Sequence, residues 1–419
     1  MKRLSAPRLA GAAACALAVQ FAAVAAAQPE KILYSFGANP DGALPFYAGL
    51  IDVKGTLYGT TGGGGAYSNG TVFSVNPTTG AEKVVYSFCS KQGCTDGGAP
   101  SASLIDVKGT LYGTTYGGGT YNNGTVFSVN PTTGAEKVLH SFGNGTDGSI
   151  SDASLLHVKG TLYGTTESGG ANGYGTVFSV NPTTGEEKVV YSFCSQKNCA
   201  DGEYPTASLI DVKDTLYATT AEGGTYSNGT VFALDAKTGA EKVVYSFCSQ
   251  KNCTDGAYPY ASLIDVVGTL YSTTYRGGSY MNCNFDQGNE GCGTVFSINP
   301  TTGVEKVLHS FGNGTDGSIP FAGLVDVKGT LYGTTAGGGG YTTGCQYSRC
   351  GTVFSVNPTT DAETVLHSFQ ANGTDGEYPT ASLIDVKGAL YSTTFNGGGN
   401  VSCPQYDPYG CGTVFAMKP

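Results

Sequence analysis

The chain has 419 residues, 65 of them glycine and 17 proline. Glycine therefore stands at about twice its usual ~7% share, while glycine plus proline stays under the roughly 25–30% that marks low-complexity disorder. With 13% charged residues, 27 tyrosines, 19 phenylalanines and no tryptophan, the composition excludes an acidic tail or a charged disordered chain.

The first 27 residues read as a secretory signal: Lys2, Arg3 and Arg8 lead into an alanine-rich apolar run, and Ala25-Ala26-Ala27 precedes Gln28. Secretion, to the periplasm or out of the cell, is the expectation, and the mature chain is read from residue 28. Without the leader, 19 basic side chains face 32 acidic ones, a net charge near −13, and Arg276 and Arg349 are the only arginines left. A nucleic-acid partner needs a basic stripe to neutralise phosphates, and an anionic membrane surface needs the same, so both are excluded. No later stretch approaches the roughly 18 apolar residues of a membrane span.

From residue 30 onward the chain repeats. Leu-Tyr recurs at Leu57, Leu111, Leu162, Leu216, Leu270, Leu331 and Leu390, 51 to 61 residues apart, and Gly-Thr-Val-Phe recurs at Gly70, Gly124, Gly175, Gly229, Gly293, Gly351 and Gly412. The second copy shows the unit: four strand-length segments rich in β-branched and aromatic residues, Ser103–Val107, Thr110–Thr115, Thr125–Asn130 and Glu136–Phe142. Lys108-Gly109 is a two-residue hairpin link, and Pro131-Thr132-Thr133-Gly134 is a turn ending in a left-handed glycine; Asp214 and Asp361 replace those glycines in other copies. No segment has helical periodicity, so the class is all-β.

Four strands cannot bury both faces of their sheet alone, and seven radial copies can. The chain opens on Glu30–Phe36, a fourth strand with no first three, and ends on Gly412–Ala416, a third strand with no fourth. The two ends complete one blade. The prediction is a single-domain, seven-bladed β-propeller over residues 28–419, clasped shut by its N-terminal strand and monomeric. The tight links, first to second strand and third to fourth, fall on one face. The variable links, second to third and fourth to the next first, share the other.

Twelve mature cysteines fall in six local pairs, all in variable links: Cys89 with Cys94, Cys194 with Cys199, Cys248 with Cys253, Cys283 with Cys292, Cys345 with Cys350, and Cys403 with Cys411. An even count behind a secretory leader implies disulfides, which would pin the loops of the variable face. Zinc is the rival reading, but each pair stands alone and four ligands would have to be gathered from different copies.

Leu-Tyr-Gly-Thr-Thr, the glycine cluster after it and Gly-Thr-Val-Phe-Ser-Val-Asn-Pro-Thr-Thr-Gly-Ala-Glu-Lys-Val together resemble the bacterial GloVer-type tandem repeat of extracellular "choice-of-anchor" proteins. The resemblance spans all seven copies and implies export and a repeat architecture. At blade level, Val-Phe-Ser-Val-Asn-Pro-Thr-Thr-Gly is similar to the kelch repeat, and Val231–Gly239 to the quinoprotein repeat, though the tryptophan both place on the fourth strand is absent.

A residue present in every copy is expected to serve the fold. Asp41, Asp96, Asp147, Asp201, Asp255, Asp316 and Asp375, each followed by glycine, are read as turn residues whose carboxylates cap backbone amides. Calcium is the alternative, raised by Asn-Gly-Thr-Asp-Gly at Asn144, Asn313 and Asn372; no other metal or cofactor is expected. Asp52, Asp106, Asp211, Asp265, Asp326 and Asp385, with His157 in the third copy, precede the tight hairpin and are expected to hold its amides rather than form an acidic channel ring. His140, His309 and His367 replace Tyr34, Tyr86, Tyr191 and Tyr245 on the fourth strand as packing residues.

Blade-specific residues carry the functional reading. After the Thr-Thr pair that ends the second strand stand Tyr116, Glu167, Glu222, Tyr275, Arg276 and Phe395, with Glu167, Glu222 and Arg276 the charged ones. Ordinary solvated surface charge is the plain alternative for those three. The disulfide-bearing inserts of the last three copies add Tyr280, Phe285, Tyr341, Tyr347, Arg349, Tyr406 and Tyr409. Rigid rings among small polar residues make an adaptable contact surface. The expected function is non-catalytic binding of an extracellular ligand, a polysaccharide or a protein, through this face. The alternatives are a glycan hydrolase or lyase using Glu167 and Glu222, and a structural envelope repeat.

Overall fold

A computed structural model describes residues 30–419 apart from 38, 282, 284–290, 342–344, 346–349, 400–402 and 404–408. The expected leader, Phe285, Tyr347, Arg349 and Tyr406 lie outside the described residues. Seven four-stranded antiparallel sheets follow one another around a ring. In the first blade the strands are Ile51–Val53, Thr56–Thr61, Thr71–Val75 and Glu82–Ser87, innermost to outermost. The seventh is built from Ile384–Val386, Ala389–Thr394, Thr413–Met417 and, at its outer edge, Lys31–Ser35 from the other end of the chain. The innermost strand is shorter than the sequence suggests: in the second blade it runs only Ile105–Val107.

The core lies between blades. Val72, Phe88, Leu104, Leu111, Phe127 and Val129 form one of seven apolar clusters, each shared by two neighbours. The phenylalanine after each fourth strand meets edge to face the phenylalanine on the third strand of the next blade, from Phe88–Phe127 at 4.9 Å to Phe369–Phe415 at 5.4 Å. Phe36 makes the same contact with Phe73, at 5.0 Å, between blades seven and one.

The Thr-Thr pair ties the ring twice. Its second hydroxyl bonds the first threonine of the third strand in the same blade, at 2.8–2.9 Å in all seven. Its first hydroxyl donates to the alanine carbonyl that precedes the innermost strand of the next blade, at 2.9–3.3 Å, and Thr393 to Ala48 repeats that bond between blades seven and one. Both hydroxyls are buried, so the bonds satisfy groups that would otherwise be costly.

The tight face is built by the hairpin between first and second strands. Both of its central residues have positive φ, as in Lys108 (55°) and Gly109 (84°), which matches the twist of the strands. The sequence expectation gave that conformation to the glycine alone; lysine shares it, and in the fifth blade Val267 does, at φ 53° and fully exposed. Asp52, Asp106, Asp265, Asp326 and Asp385 accept from the second hairpin glycine at 2.8–3.0 Å, which is the amide-holding role expected of them.

All six cysteine pairs are joined as disulfides on the variable face. Cys89 is bonded to Cys94, Cys194 to Cys199, Cys248 to Cys253, Cys283 to Cys292, Cys345 to Cys350 and Cys403 to Cys411. The six fall into two kinds. The second cysteine of each early pair is a backbone acceptor: Cys94 O takes Gly97 N and Gly119 N, Cys199 O takes Gly202 N and Gly224 N, and Cys253 O takes Gly256 N and Gly278 N, all at 2.9 Å. The second cysteine of each late pair is core. Cys292, Cys350 and Cys411 are fully buried within the apolar clusters of their blades, since a sulfur bound in a disulfide is an apolar group to be packed.

The aspartates of the Asp-Gly turns accept backbone amides on the same face: Asp96 takes Ser90 N at 2.8 Å and Asp147 takes Gly143 N at 3.0 Å. The fourth-strand rings do more than pack. Tyr86, Tyr191 and Tyr245 donate to Asp96, Asp201 and Asp255 at 2.7–2.8 Å, and His140 and His309 bond Asp147 and Asp316 at 2.9–3.0 Å. Tyrosine and histidine exchange at this position because both put a ring nitrogen or hydroxyl against that carboxylate.

Candidate functional site at the channel mouth

On the variable face, each innermost strand is preceded by a short segment that ends in alanine and then serine or glycine. The serines line the channel mouth. Ser154 N donates to Ser208 Oγ at 2.9 Å and Ser208 N to Ser262 Oγ at 3.0 Å, linking three consecutive blades. At Gly49 a Cβ would lie 2.9 Å from Ser103 Oγ, so the ring tightens there onto glycine. At this ring opens a cavity of about 240 Å³, lined by Tyr47, Asp152, Glu167, Thr206, Tyr260, Phe321 and Thr380 among others.

Six of those seven residues stand immediately before the alanine. Backbone geometry explains why they point inward together. Three positions upstream of that alanine, and four in the first blade, every blade holds a non-glycine residue in the left-handed region: Leu44, Ala99, Ile150, Tyr204, Tyr258, Ile319 and Tyr378, with φ between 50° and 60°. For Ile150 and Ile319, branched at Cβ, this is a strained conformation of the kind concentrated at binding sites. Each such residue donates its amide to the preceding blade, as Tyr204 N does to Tyr174 O at 3.0 Å. In the last three steps around the ring the acceptor is a disulfide cysteine: Ile319 N bonds Cys292 O, Tyr378 N bonds Cys350 O and Leu44 N bonds Cys411 O, at 2.9–3.1 Å. Each left-handed residue also accepts from the residue just after the second strand of its own blade: Glu167 N to Ile150 O at 2.7 Å, Tyr275 N to Tyr258 O at 3.0 Å, Phe395 N to Tyr378 O at 3.1 Å. The variable residues after the Thr-Thr pair are thereby hung on the channel lip.

The mouth has two unlike halves. Blades five, six, seven and one supply rings: Tyr275 lies 4.6 Å from Phe321 and 5.5 Å from Tyr260, Tyr47 lies 5.5 Å from Phe321, and Phe46 bridges Tyr47 and Phe395 at 3.7 and 4.9 Å. The Arg276 guanidinium stands 5.1 Å over the Tyr275 ring. Blades three and four supply acids. Glu167 and Glu222 share a second depression, continuous with the first, with Tyr204, Thr206, Ala221 and Tyr260.

Electrostatics follow from this crowding. Burial raises the Asp152 carboxyl above the usual range, against the bond it accepts from Ser101 Oγ. Burial raises Glu167 too, with the Asp152 and Glu222 charges adding to it. Burial, then Glu222 and Asp201, raise Glu203. The Tyr260 hydroxyl is pushed up to about 12 by burial, by Glu222 and by its ring neighbours.

Of the residues singled out in the sequence, Glu167, Glu222, Tyr275, Arg276 and Phe395 come together at this mouth. Tyr116, Tyr280, Tyr341 and Tyr409 lie outside the cavity lining, 40–48% exposed. The cysteines stand behind the lip and hold it; none of Cys94, Cys253, Cys292, Cys350 and Cys411 lines either depression. Sequence reasoning missed Tyr47, Asp152, Thr206, Tyr260, Phe321 and Thr380. The signal was there: just before an alanine present in all seven copies, and near a proline present in all but the third, this position changes in almost every copy. As for calcium, Asn372 Oδ1 accepts from Thr374 N and Asp375 N at 2.8–2.9 Å, and the Asp375 oxygens accept from Gln370 N and Gly376 N. These oxygens face N–H donors, as an Asx turn requires, while the Asp375 carboxylate also gathers with Glu30 and His367, their ligand atoms within 4.8 Å of one another.

The likeness to solved structures is one of fold. The extracellular domain of the hybrid two-component system BT4673 from B. thetaiotaomicron aligns with 92% of this chain at 12% identity and a TM-score of 0.57; this chain spans 39% of that one. An oligogalacturonate lyase in complex with manganese aligns over 94% of this chain and 90% of its own at 10% identity and a TM-score of 0.51. No curated protein matches the chain. The Gloeobacter/Verrucomicrobia repeat matches residues 89–285 and 283–419, and the chain belongs to that family.

Proposed function

We propose that this is a secreted, non-catalytic binding propeller that takes a segment of an extracellular glycan at its channel mouth. The observation that carries the reading is the convergence, in one cavity, of a ring wall from Tyr47, Tyr260 and Phe321, backed by Tyr275, with the hydroxyls of Ser103, Ser154, Ser208, Ser262 and Ser382. Ring faces suit the C–H faces of a sugar, and hydroxyl side chains both donate and accept toward its hydroxyls. The disulfides support an oxidising compartment outside the cytoplasm. Binding of the oxidised protein to a glycan array, with and without calcium, tests this. Saturable binding to one polysaccharide class, lost in Tyr260→Ala and Phe321→Ala, is the expected result; binding unchanged by both substitutions would refute the placement.

A second reading, glycan cleavage, is favoured by one observation: Glu167 and Glu222 line the same depression, and burial with the Asp152 and Glu222 charges raises the Glu167 carboxyl, the direction a general acid requires. Release of new chain ends from a bound polysaccharide, abolished in Glu167→Gln and Glu222→Gln, is its test. Activity surviving both would discard it.

A further inference from the structure

The fold places two acids where it should not want them. Glu203 and Glu222 are directly opposite each other across an antiparallel bridge, exchanging both backbone bonds, Glu203 N to Glu222 O at 2.9 Å and Glu222 N to Glu203 O at 3.1 Å. Like charges directly opposite destabilise such a pair. The same bridge in other blades carries Gly98 with Gly117, Ser149 with Ser168, Ala257 with Arg276 and Ser318 with Gly337, so nothing in the repeat demands two carboxylates. Asp152 and Glu167, one blade away, extend the cluster into the cavity. Among the described residues, no lysine, arginine or histidine forms an ion pair with any of the four. Thr206, in the wall common to both depressions, has a buried Oγ1 without a hydrogen-bond partner.

From this juxtaposition of a ring wall and serine hydroxyls in the cavity with an unneutralised acidic wall, which runs from Asp152 and Glu167 in the cavity to Glu222 in the second depression and Glu203 opposite it, we infer that the ligand is cationic, a glycan whose sugars carry free primary amines. This rests on the glycan reading and gives it a charge. The ammonium of a 2-amino sugar seats among Asp152, Glu167, Glu222 and Glu203, where three donors meet several carboxylate acceptors. Its ring lies against Tyr260 and Phe321, and its hydroxyls meet Thr206 and the serines. A lysine side chain would satisfy the acids and leave the serine hydroxyls unmet, which favours the sugar. The raised carboxyls of Glu167 and Glu203 agree, since an arriving cation relieves the repulsion that adds to burial in raising them.

The test is calorimetric titration of the full mature protein with three hexamers of one backbone: glucosamine, N-acetylglucosamine and glucose. The glucosamine hexamer is expected to bind at least ~10-fold tighter than the other two, the scale of one hydrogen bond to a charged group. Glu203→Gln/Glu222→Gln should remove that preference while leaving the melting temperature equal or higher, because the opposed charges are gone. Equal binding of all three hexamers would overturn the charge inference and leave the glycan reading standing. Tight glucosamine binding that survives the double substitution would also overturn it, as general attraction to an acidic chain. Binding of a lysine hexamer, with all three sugars silent, would overturn both.

Discussion

Phe36→Ala tests whether the N-terminal strand closes the ring energetically as well as geometrically. Phe36 is fully buried, 5.0 Å from Phe73 and 5.3 Å from Tyr34, in a cluster with Leu50, Leu57, Val75 and Val414. Phe88, its counterpart between blades one and two, lies 4.9 Å from Phe127 and 5.2 Å from Tyr86. Equal surroundings imply equal costs, about 3–5 kcal/mol for a buried phenylalanine cut to alanine. With an unfolding entropy of ~2.1 cal/mol/K per residue over about 390 residues, that is a fall of roughly 4–6 °C in melting temperature for either variant. Calorimetry of Phe36→Ala and Phe88→Ala side by side gives the comparison. Limited proteolysis adds a second reading, because Lys31–Ser35 is an edge strand tethered at one end. Phe36→Ala should be clipped there before the blades open, and Phe88→Ala should not. A Phe36→Ala melting point within about 1 °C of the parent, with Phe88→Ala depressed, would refute ring closure through this strand.

Three further outcomes are expected. Val267, branched at Cβ and at φ 53° in a fully exposed turn, should give way to asparagine with a gain of about 1 kcal/mol in chemical denaturation. Thr393→Val, between blades seven and one, leaves the Ala48 carbonyl without its 3.2 Å donor, and should cost about 1–3 kcal/mol by the same assay. Stability should fall as pH rises from about 5 to 9. Burial, with neighbouring aspartates, pushes Glu30 up to about 9, Glu305 to about 8 and Glu82, Glu187, Glu241 and Glu363 to about 7, against 4.5 ordinarily. The folded chain thus holds protons that the unfolded chain releases, so this contribution is full below 4.5 and lost as pH passes through the folded values. Melting temperatures across that range check it, and Glu305→Gln, which faces Asp255 and Tyr245, should flatten the slope.

The blade count, the closing strand, the division of faces and the cysteine pairing could all be read from the sequence because each is written in a local repeat. What the cysteines do could not: the burial of Cys292, Cys350 and Cys411 and the bonds their carbonyls accept depend on the next blade. Thr-Thr could be seen but not understood, since its partners, Ala102 for Thr60 and Ala48 for Thr393, lie in other blades. Tyr86 looked like a packing ring because its aspartate lies ten residues on, past a disulfide turn. The channel mouth was hardest. Tyr47, Asp152, Tyr260 and Phe321 are far apart in the chain and each, taken singly, is one more loop residue. Only the radial symmetry places them on one wall. Attention to the aromatic inserts of the later blades also drew weight outward, whereas Tyr280, Tyr341 and Tyr409 sit away from the cavity lining.

The arrangement separates what must stay constant from what is free to vary. The backbone bonds of the left-handed residue fix the lip whatever side chain stands on either side of it, so Gly62, Glu167, Tyr275 and Phe395 occupy one structural position with one hydrogen bond each. One substitution per blade then resculpts a seven-walled cavity without touching the phenylalanine and threonine contacts that hold the ring. The opposed carboxylates Glu203 and Glu222 fall in blade four, and the two ends of the chain meet inside blade seven, where Lys31–Ser35 pairs with Thr413–Met417. The ring is thus closed by a strand pairing within one blade, and the chain runs on from that strand through Phe36 into blade one, so the apolar cluster around Phe36 and Phe73 packs an interface that the chain also spans.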